Sequence, residues 1–183
     1  MSRQRAQSQG SVGQAAAVDK PQALTVHGWT IFAHPLFLGQ LETLAQQVEA
    51  LRQKDPVGYL TKNASKRLAA IEHLAFDRIP EDPTRAEYRQ GSTLGREHSH
   101  WFRAKFFQQY RLFFRYHEAS RVIVYAWVND ESSLRAYDAS NDAYRVFRKM
   151  LAKGSPPTRW ERLFAESVGV SASSLEAPKK KKR

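Results

Sequence analysis

The sequence predicts an α+β domain. Three observations predict it: apolar residues recur at intervals of three and four between residues 37 and 74, alternate with a period of two between residues 101 and 128, and return to helical spacing from residue 143. In chain order, residues 26–33 hold Val26, Trp29, Thr30, Ile31 and Phe32 and are bounded by Pro35, which predicts an N-terminal strand. Pro35 suits the first turn of a helix whose apolar stripe is Phe37, Leu38, Leu41, Leu44, Ala45, Val48 and Leu51. Asp55 followed by Pro56 predicts the N-cap and first turn of a second helix, with Leu60, Ala64, Leu68, Ile71 and Leu74 as its stripe and Pro80 and Pro83 as its stop. Together the two helices form an αα-hairpin. Residues 88–90 are a short candidate strand, followed by strands over residues 101–106, 110–116 and 122–128. Ala143, Val146, Phe147, Met150 and Leu151 then mark a helix ending at Gly154, and Pro156 and Pro157 open a last short helix with Trp160, Leu163 and Phe164.

A chain of 183 residues suits one domain. Hydrophobic residues at 42% and aromatics at 11% exclude a disordered chain, whereas residues 1–22 and 170–183 are polar and aperiodic, predicting disordered extensions around a domain of residues 23–169. No stretch approaches the roughly 20 apolar residues of a membrane span, and the N-terminus lacks a signal-peptide core. A soluble, cytoplasmic protein without membrane contact is expected. The absence of cysteine excludes disulfides, a thiolate nucleophile and a zinc ribbon. The net charge of +11 includes the basic run of residues 179–183, but residues 85–117 also carry seven Lys and Arg against Glu87 and Glu97. Those charges suggest a polyanionic partner.

The hairpin register sharpens that suggestion. A loop at residues 107–109 pairs Phe106 with Tyr110, Ala104 with Leu112 and Phe102 with Phe114 on a core face, and a turn at residues 118–120 extends it through Val122, Val124 and Ala126. The opposite face then holds three rows: Lys105 with Arg111 and Trp127, Arg103 with Phe113 and Tyr125, and Trp101 with Arg115 and Ile123. Phe113 and Ile123 are expected beneath the C-terminal helices. Like charges directly opposite cost up to about 1 kcal/mol, so Lys105 facing Arg111 calls for an anion or a ring. Phosphates meet this demand, and rings beside cations offer stacking surface for unpaired bases. A solvated outer face is the competing reading.

Other motifs point to less. His98 and His100 share a spacing that could direct both to one side, but no further His or carboxylate cluster completes a metal site, and surface histidines are favoured. His100 could still serve RNA binding or proton transfer. Asp130, in Asn129-Asp130-Glu131-Ser132, reads as a helix cap before it reads as half of a metal-binding carboxylate pair. No Gly-rich phosphate loop, nucleophile elbow or zinc-protease motif occurs. The terminal lysines resemble a nuclear import signal and serve equally as an electrostatic tether.

The stretch Trp101-Phe-Arg-Ala-Lys-Phe-Phe-Gln-Gln-Tyr-Arg-Leu-Phe-Phe-Arg-Tyr116, with Val124-Tyr-Ala-Trp-Val-Asn-Asp-Glu131 and Leu134-Arg-Ala-Tyr137, resembles the YhaV family of bacterial toxins. Further matches are His27-Gly-Trp29, Phe32-Ala-His-Pro35, Lys54-Asp-Pro56, Asp142-Ala-Tyr144, Val146-Phe147, and Gly154-Ser-Pro-Pro157 with Trp160, so the likeness spans about residues 24–166. It implies a RelE-like fold, with an N-terminal strand and αα-hairpin packed on an antiparallel sheet and helices at the C-terminus. The implied activity is that of a type II toxin–antitoxin endoribonuclease, cutting mRNA without metal or cofactor by attack of a ribose 2′-hydroxyl on the adjacent phosphate, and so inhibiting translation. The catalytic residues implied by resemblance are Arg111 on the scissile phosphate, Lys105 or Arg103 as charge or proton donor, and Tyr137 as stacking or proton-relay group. Arg135 could replace the basic residue that the wider pattern has where Asn129-Asp130-Glu131 stands here. An arginine or unperturbed lysine is a poor base at neutral pH, which leaves His100 as a hypothesis for that role. Trp101, His100, Arg115, Tyr125, Trp127 and Arg135 are expected to bind RNA. The implied partners are mRNA, free or on the ribosome, and a PrlF-type antitoxin through which alone operator DNA is bound. The rivals are a noncatalytic RNA- or ribosome-binding module of the same fold, and a structural protein with a charged surface.

Overall fold

A computed structural model describes residues 23–171; the expected N-terminal extension and the lysine run lie outside the described residues. The chain folds as an α+β domain around one mixed sheet in the order β1 (Thr25–Val26), β2 (Trp29–Ala33), β5 (Val122–Val128), β4 (Tyr110–His117), β3 (Phe102–Phe106), with β6 (Val168–Gly169) beside β2. The strand expected over residues 26–33 is two, because His27 and Gly28 both take positive φ, 48° and 79°, as the central pair of a tight hairpin requires. β2 runs parallel to β5, so the sheet is mixed where the resemblance implied an antiparallel one. Val170 donates its N–H to the Ile31 carbonyl and accepts from the Leu24 N–H, which ties the residue after β6 to the sheet edge.

Helix α1 (Pro35–Lys54) starts as expected at Pro35, with the His34 ring accepting from the Leu36 N–H at 3.2 Å. Asp55 closes this helix instead of opening the next: its N–H bonds the Leu51 carbonyl and its carboxylate accepts from Gly58 at 2.8 Å. After a 3-10 turn, α2 (Asn63–His73) runs through a π turn at Leu74–Arg78 into the short α3 (Ile79–Glu81). Leu60 is 63% exposed and leaves the stripe; Ile71, Ala75 and Ile79 are buried. Pro80 follows the π turn, where the Ile79 N–H bonds the Leu74 carbonyl, and this local change of helical bonding accommodates the N–H that proline lacks. The candidate strand over residues 88–90 reduces to one bridge, Arg89 with Phe102, behind a 3-10 turn at Ala86–Tyr88.

The β3–β4 register is the expected one, pairing Phe106 with Tyr110, Ala104 with Leu112 and Phe102 with Phe114. The β4–β5 register is not. His117 pairs with Val122 and Tyr116 with Ile123, because the turn takes four residues, 118–121, and ends on Arg121 at φ 54°. A slip of one residue exchanges the faces of a strand. Ile123 and Tyr125 therefore pack with Phe37, Ile71 and Phe114 under the N-terminal helices, while Val122, Val124 and Ala126 join the opposite cluster. A bulge at Ala126, between the pairs Phe114–Tyr125 and Phe113–Trp127, brings Val128 back to the first face.

Helices α4 (Ala143–Ala152) and α5 (Trp160–Glu166) cover the second face. Phe113 lies under α4 as expected; Ile123 does not. Phe147 is the centre of this layer, its ring 4.2 Å from Phe113, 5.1 Å from Trp101 and 5.6 Å from Trp127. Such aromatic contacts add to the apolar area already removed from water. Phe147→Ala is expected to lower the unfolding free energy by about 3–5 kcal/mol in urea titrations. Leu60→Ser should stay within about 0.5 kcal/mol of the parent, and a larger loss would return Leu60 to the core.

Candidate functional site

The hairpin at residues 107–109, the loop after β5 and the first turn of α4 bring four cations together. Lys105 faces Arg111 across the β3–β4 ladder, with Arg103 two residues along β3. Asp142 caps α4 by accepting from the Tyr144 N–H at 3.1 Å, which fixes Tyr144 over the sheet, and its hydroxyl oxygen takes two donors: Arg103 Nε at 2.8 Å and Arg111 Nε at 3.3 Å. Arg103 Nη1 also donates to the Glu87 carbonyl at 2.6 Å, and Arg111 Nη1 to the carbonyls of Gln108 and Tyr110 at 2.7 and 2.8 Å. Arg135 stacks 4.0 Å over Tyr137 and 4.9 Å over Tyr144 and pairs with Asp142. Asn129, fully buried, accepts from the Arg111 N–H and donates to the carbonyls of Gln109 and Ser133, tying the loop after β5 to the hairpin.

The electrostatics follow from those partners. Arg103 and Arg111 are each only 7% exposed, and neither has a carboxylate within ion-pair distance among the described residues. Neutral acceptors orient both guanidiniums without cancelling their charge. A phosphate would find donors already aimed and an uncompensated positive potential, which is the arrangement that favours developing negative charge. Lys105 is exposed, and Tyr137, 85% exposed, presents a ring at the mouth of the cluster.

Not all the expected site residues gather here. Trp101, Tyr125 and Trp127 were expected on an open face; all three are core residues, because both faces of the sheet are covered. Tyr125 stands on the opposite face, its hydroxyl donating to the Ala75 carbonyl. Arg115 lies four residues further along β4, about 13 Å from Arg111 at the rise of a strand, and His100, in the turn before β3, is near it. Burial, then Arg115 and then His98, hold the His100 pKa below the usual imidazole value against the opposing hydrogen bond to the Thr158 carbonyl. Among the described residues no three His, Asp or Glu side chains converge as a metal site. Asp130 is the expected cap, accepting from the Ser132 N–H at 2.8 Å; burial raises its pKa, but hydrogen bonds from Ser132 and Ser133 outweigh that and leave it low.

Tyr144, Asp142 and Asn129 are the residues that the sequence reading left out of the site. The signal for two of them was present: an Asp immediately before a helical stripe marks a cap, and a polar-tipped ring in the first turn is placed at the end of the sheet.

Residues 31–168 match the YhaV toxin family, described as a toxin with endonuclease activity of a toxin–antitoxin system. The chain is 43% identical over 152 residues to the ribonuclease toxin YhaV of Escherichia coli (strain K12) and, equally, to toxin YhaV of Escherichia coli O157:H7, each match covering 82% of this chain and 97% of the relative. No solved structure matches the chain.

Tyr144→Phe keeps the ring and removes the oxygen that both guanidiniums share. It should cost about 1–3 kcal/mol of stability, and in NMR spectra the Nε protons of Arg103 and Arg111 should exchange faster with water while that of Arg115 is unchanged. Unaltered exchange at both arginines would show that the phenol does not hold them.

Proposed function

The chain belongs to the YhaV family of toxins, endonucleases of toxin–antitoxin systems, and from that premise we propose that it cleaves RNA at the Arg103–Arg111–Tyr144 cluster by intramolecular attack of a ribose 2′-hydroxyl. The bond from the 2′-oxygen to phosphorus forms as the bond from phosphorus to the 5′-oxygen breaks, leaving 2′,3′-cyclic phosphate and 5′-hydroxyl ends. The 2′-proton passes to water and the 5′-oxygen takes one from Lys105, the exposed ammonium opposite Arg111. Arg111 and Arg103 hold the phosphate and the charge that grows on it, and Tyr137 stacks on a base beside the cut. His100 is not the base in this reading, since it stands at the other end of the strand.

The observation that carries the proposal is the pair of buried guanidiniums oriented by neutral acceptors, in a group of four cations whose one carboxylate, Asp142, pairs with Arg135. Such a site repels a divalent cation and attracts a phosphate, which supports cleavage that needs none. The family gives the chain an antitoxin as partner. That this antitoxin is of the PrlF type, and that the target is mRNA in the cytoplasm with translation stopped as the result, are further parts of the proposal and rest on the resemblance. No helix among the described residues is long and apolar enough to cross a membrane.

Incubation with end-labelled single-stranded RNA in EDTA, with and without ribosomes, tests the reading. The unmodified chain should give cyclic-phosphate ends, and Arg111→Ala should cut about 10²–10³-fold more slowly. RNA that is bound but left intact in both settings would make the chain a noncatalytic RNA-binding module.

A further inference from the structure

A second group of polar and aromatic side chains, unused by the cleavage centre, lies along the same face of β4. Arg115 follows Arg111 and Phe113 on this face and is held between two indoles, its guanidinium 5.7 Å from the Trp101 ring and 5.5 Å from the Trp160 ring. Among the described residues its single hydrogen bond runs from Nη1 to the Thr158 carbonyl, at 2.5 Å, and no carboxylate lies within ion-pair distance, although Glu161 is near enough to act on its charge, which burial disfavours. Arg115 Nε and Trp101 Nε1 are buried donors without acceptors, and His98 Nδ1 and His100 Nε2 beside them are equally unpartnered. Buried polar atoms are nearly always satisfied, so four together mark a place that takes a hydrogen-bonding group from outside the described residues. Arg115 is only partly buried, and this gives such a group a way in.

The rings next to Arg115 form a stack that continues to the surface. Phe164 lies 5.9 Å from Trp160 with their planes 11° apart, and His117 lies 5.4 Å from Trp160 at 18°. His117 is exposed and Trp160 half-buried. Near-parallel rings beside an unpaired guanidinium match the two parts of a nucleotide: a flat base and a phosphate.

We propose that Arg115, Trp160 and His117 form a subsite for the single-stranded RNA that flanks the cut, Arg115 taking a backbone phosphate and the two rings a base. The inference rests on the RNA-cleaving reading above and extends it along the strand. From Arg111 to Arg115 is about 13 Å, a span of about four nucleotides at a stacked rise of ~3.4 Å and fewer when the strand is extended. Phe113 lies between the two cation groups beneath Phe147 of α4, so the bound strand passes around α4, and the straight span is the least length it needs.

The test uses the full chain and a fully 2′-O-methylated RNA octanucleotide, which has no free 2′-hydroxyl to react. Binding measured by anisotropy should weaken about tenfold in Trp160→Ala, and severalfold in Arg115→Gln and in His117→Ala, the last at an exposed position, with circular dichroism confirming that each variant is folded. Quenching of tryptophan fluorescence by the octanucleotide should be lost in Trp160→Ala. In cleavage of unmodified RNA, the gain in kcat/KM from a dinucleotide to an octanucleotide should shrink in the same three variants. Affinity equal to the parent in both Arg115→Gln and His117→Ala overturns the subsite. Binding that depends on these residues, in a chain that leaves unmodified RNA intact, supports the subsite and overturns the cleavage reading.

Discussion

One phenol oxygen holds two like charges together inside the protein. Arg103 and Arg111 come from adjacent strands and Tyr144 from the helix above them, so their common hydrogen bonds require β3, β4 and α4 to be in register at once. Two buried guanidiniums repel each other and have lost much of their hydration, a state that costs stability unless each N–H finds an acceptor. Here the acceptors are a hydroxyl and three main-chain carbonyls, which satisfy geometry and leave the charge standing. A carboxylate in the same place would have stabilised the fold more and bound a phosphate less. The aromatic layer around Phe147 and the N-terminal core supply what this arrangement takes away.

How far the sequence could be read depends on where the local signals were unambiguous. The β3–β4 hairpin was legible because a three-residue loop is the choice that keeps Phe106, Ala104 and Phe102 level with Tyr110, Leu112 and Phe114. The next turn was not, since Arg121 takes a left-handed conformation that Gly or Asn usually announces, and nothing in the residues marks the bulge at Ala126. Asp55-Pro56 shows a similar ambiguity: an Asp can cap the start of a helix or close a turn after one, and the choice here is made by the Gly58 N–H that it accepts.

The cations of the site were found by alternation and by resemblance, and their surroundings were not. Alternating rings and charges on one face of a strand read as an open, half-wet surface; in fact α4 and α5 bury that face, so Trp101 and Trp127 became core and the arginines became enclosed donors. Whether a helix later in the chain covers a sheet face is a long-range fact that period-two spacing does not contain. The role of Tyr144 is hidden for the same reason: its sequence neighbourhood places it on a helix, and only the packing of that helix places its oxygen between two strands.

The topology has a further consequence, for the order in which the fold assembles. The meander β3–β4–β5 pairs residues close in sequence, whereas β2 joins it through Thr30 with Val122 and is flanked on its other side by Val168 and Gly169. Closing contacts so distant is slow, because the chain between them loses its freedom before the contact repays it. While Trp160 and the residues after it are still inside the ribosome, a growing chain has its hairpins but neither the β6 edge nor the Trp160 ring over Arg115. The toxin therefore completes its surface only after synthesis has passed this point, and the ribosome that makes it handles an unfinished form.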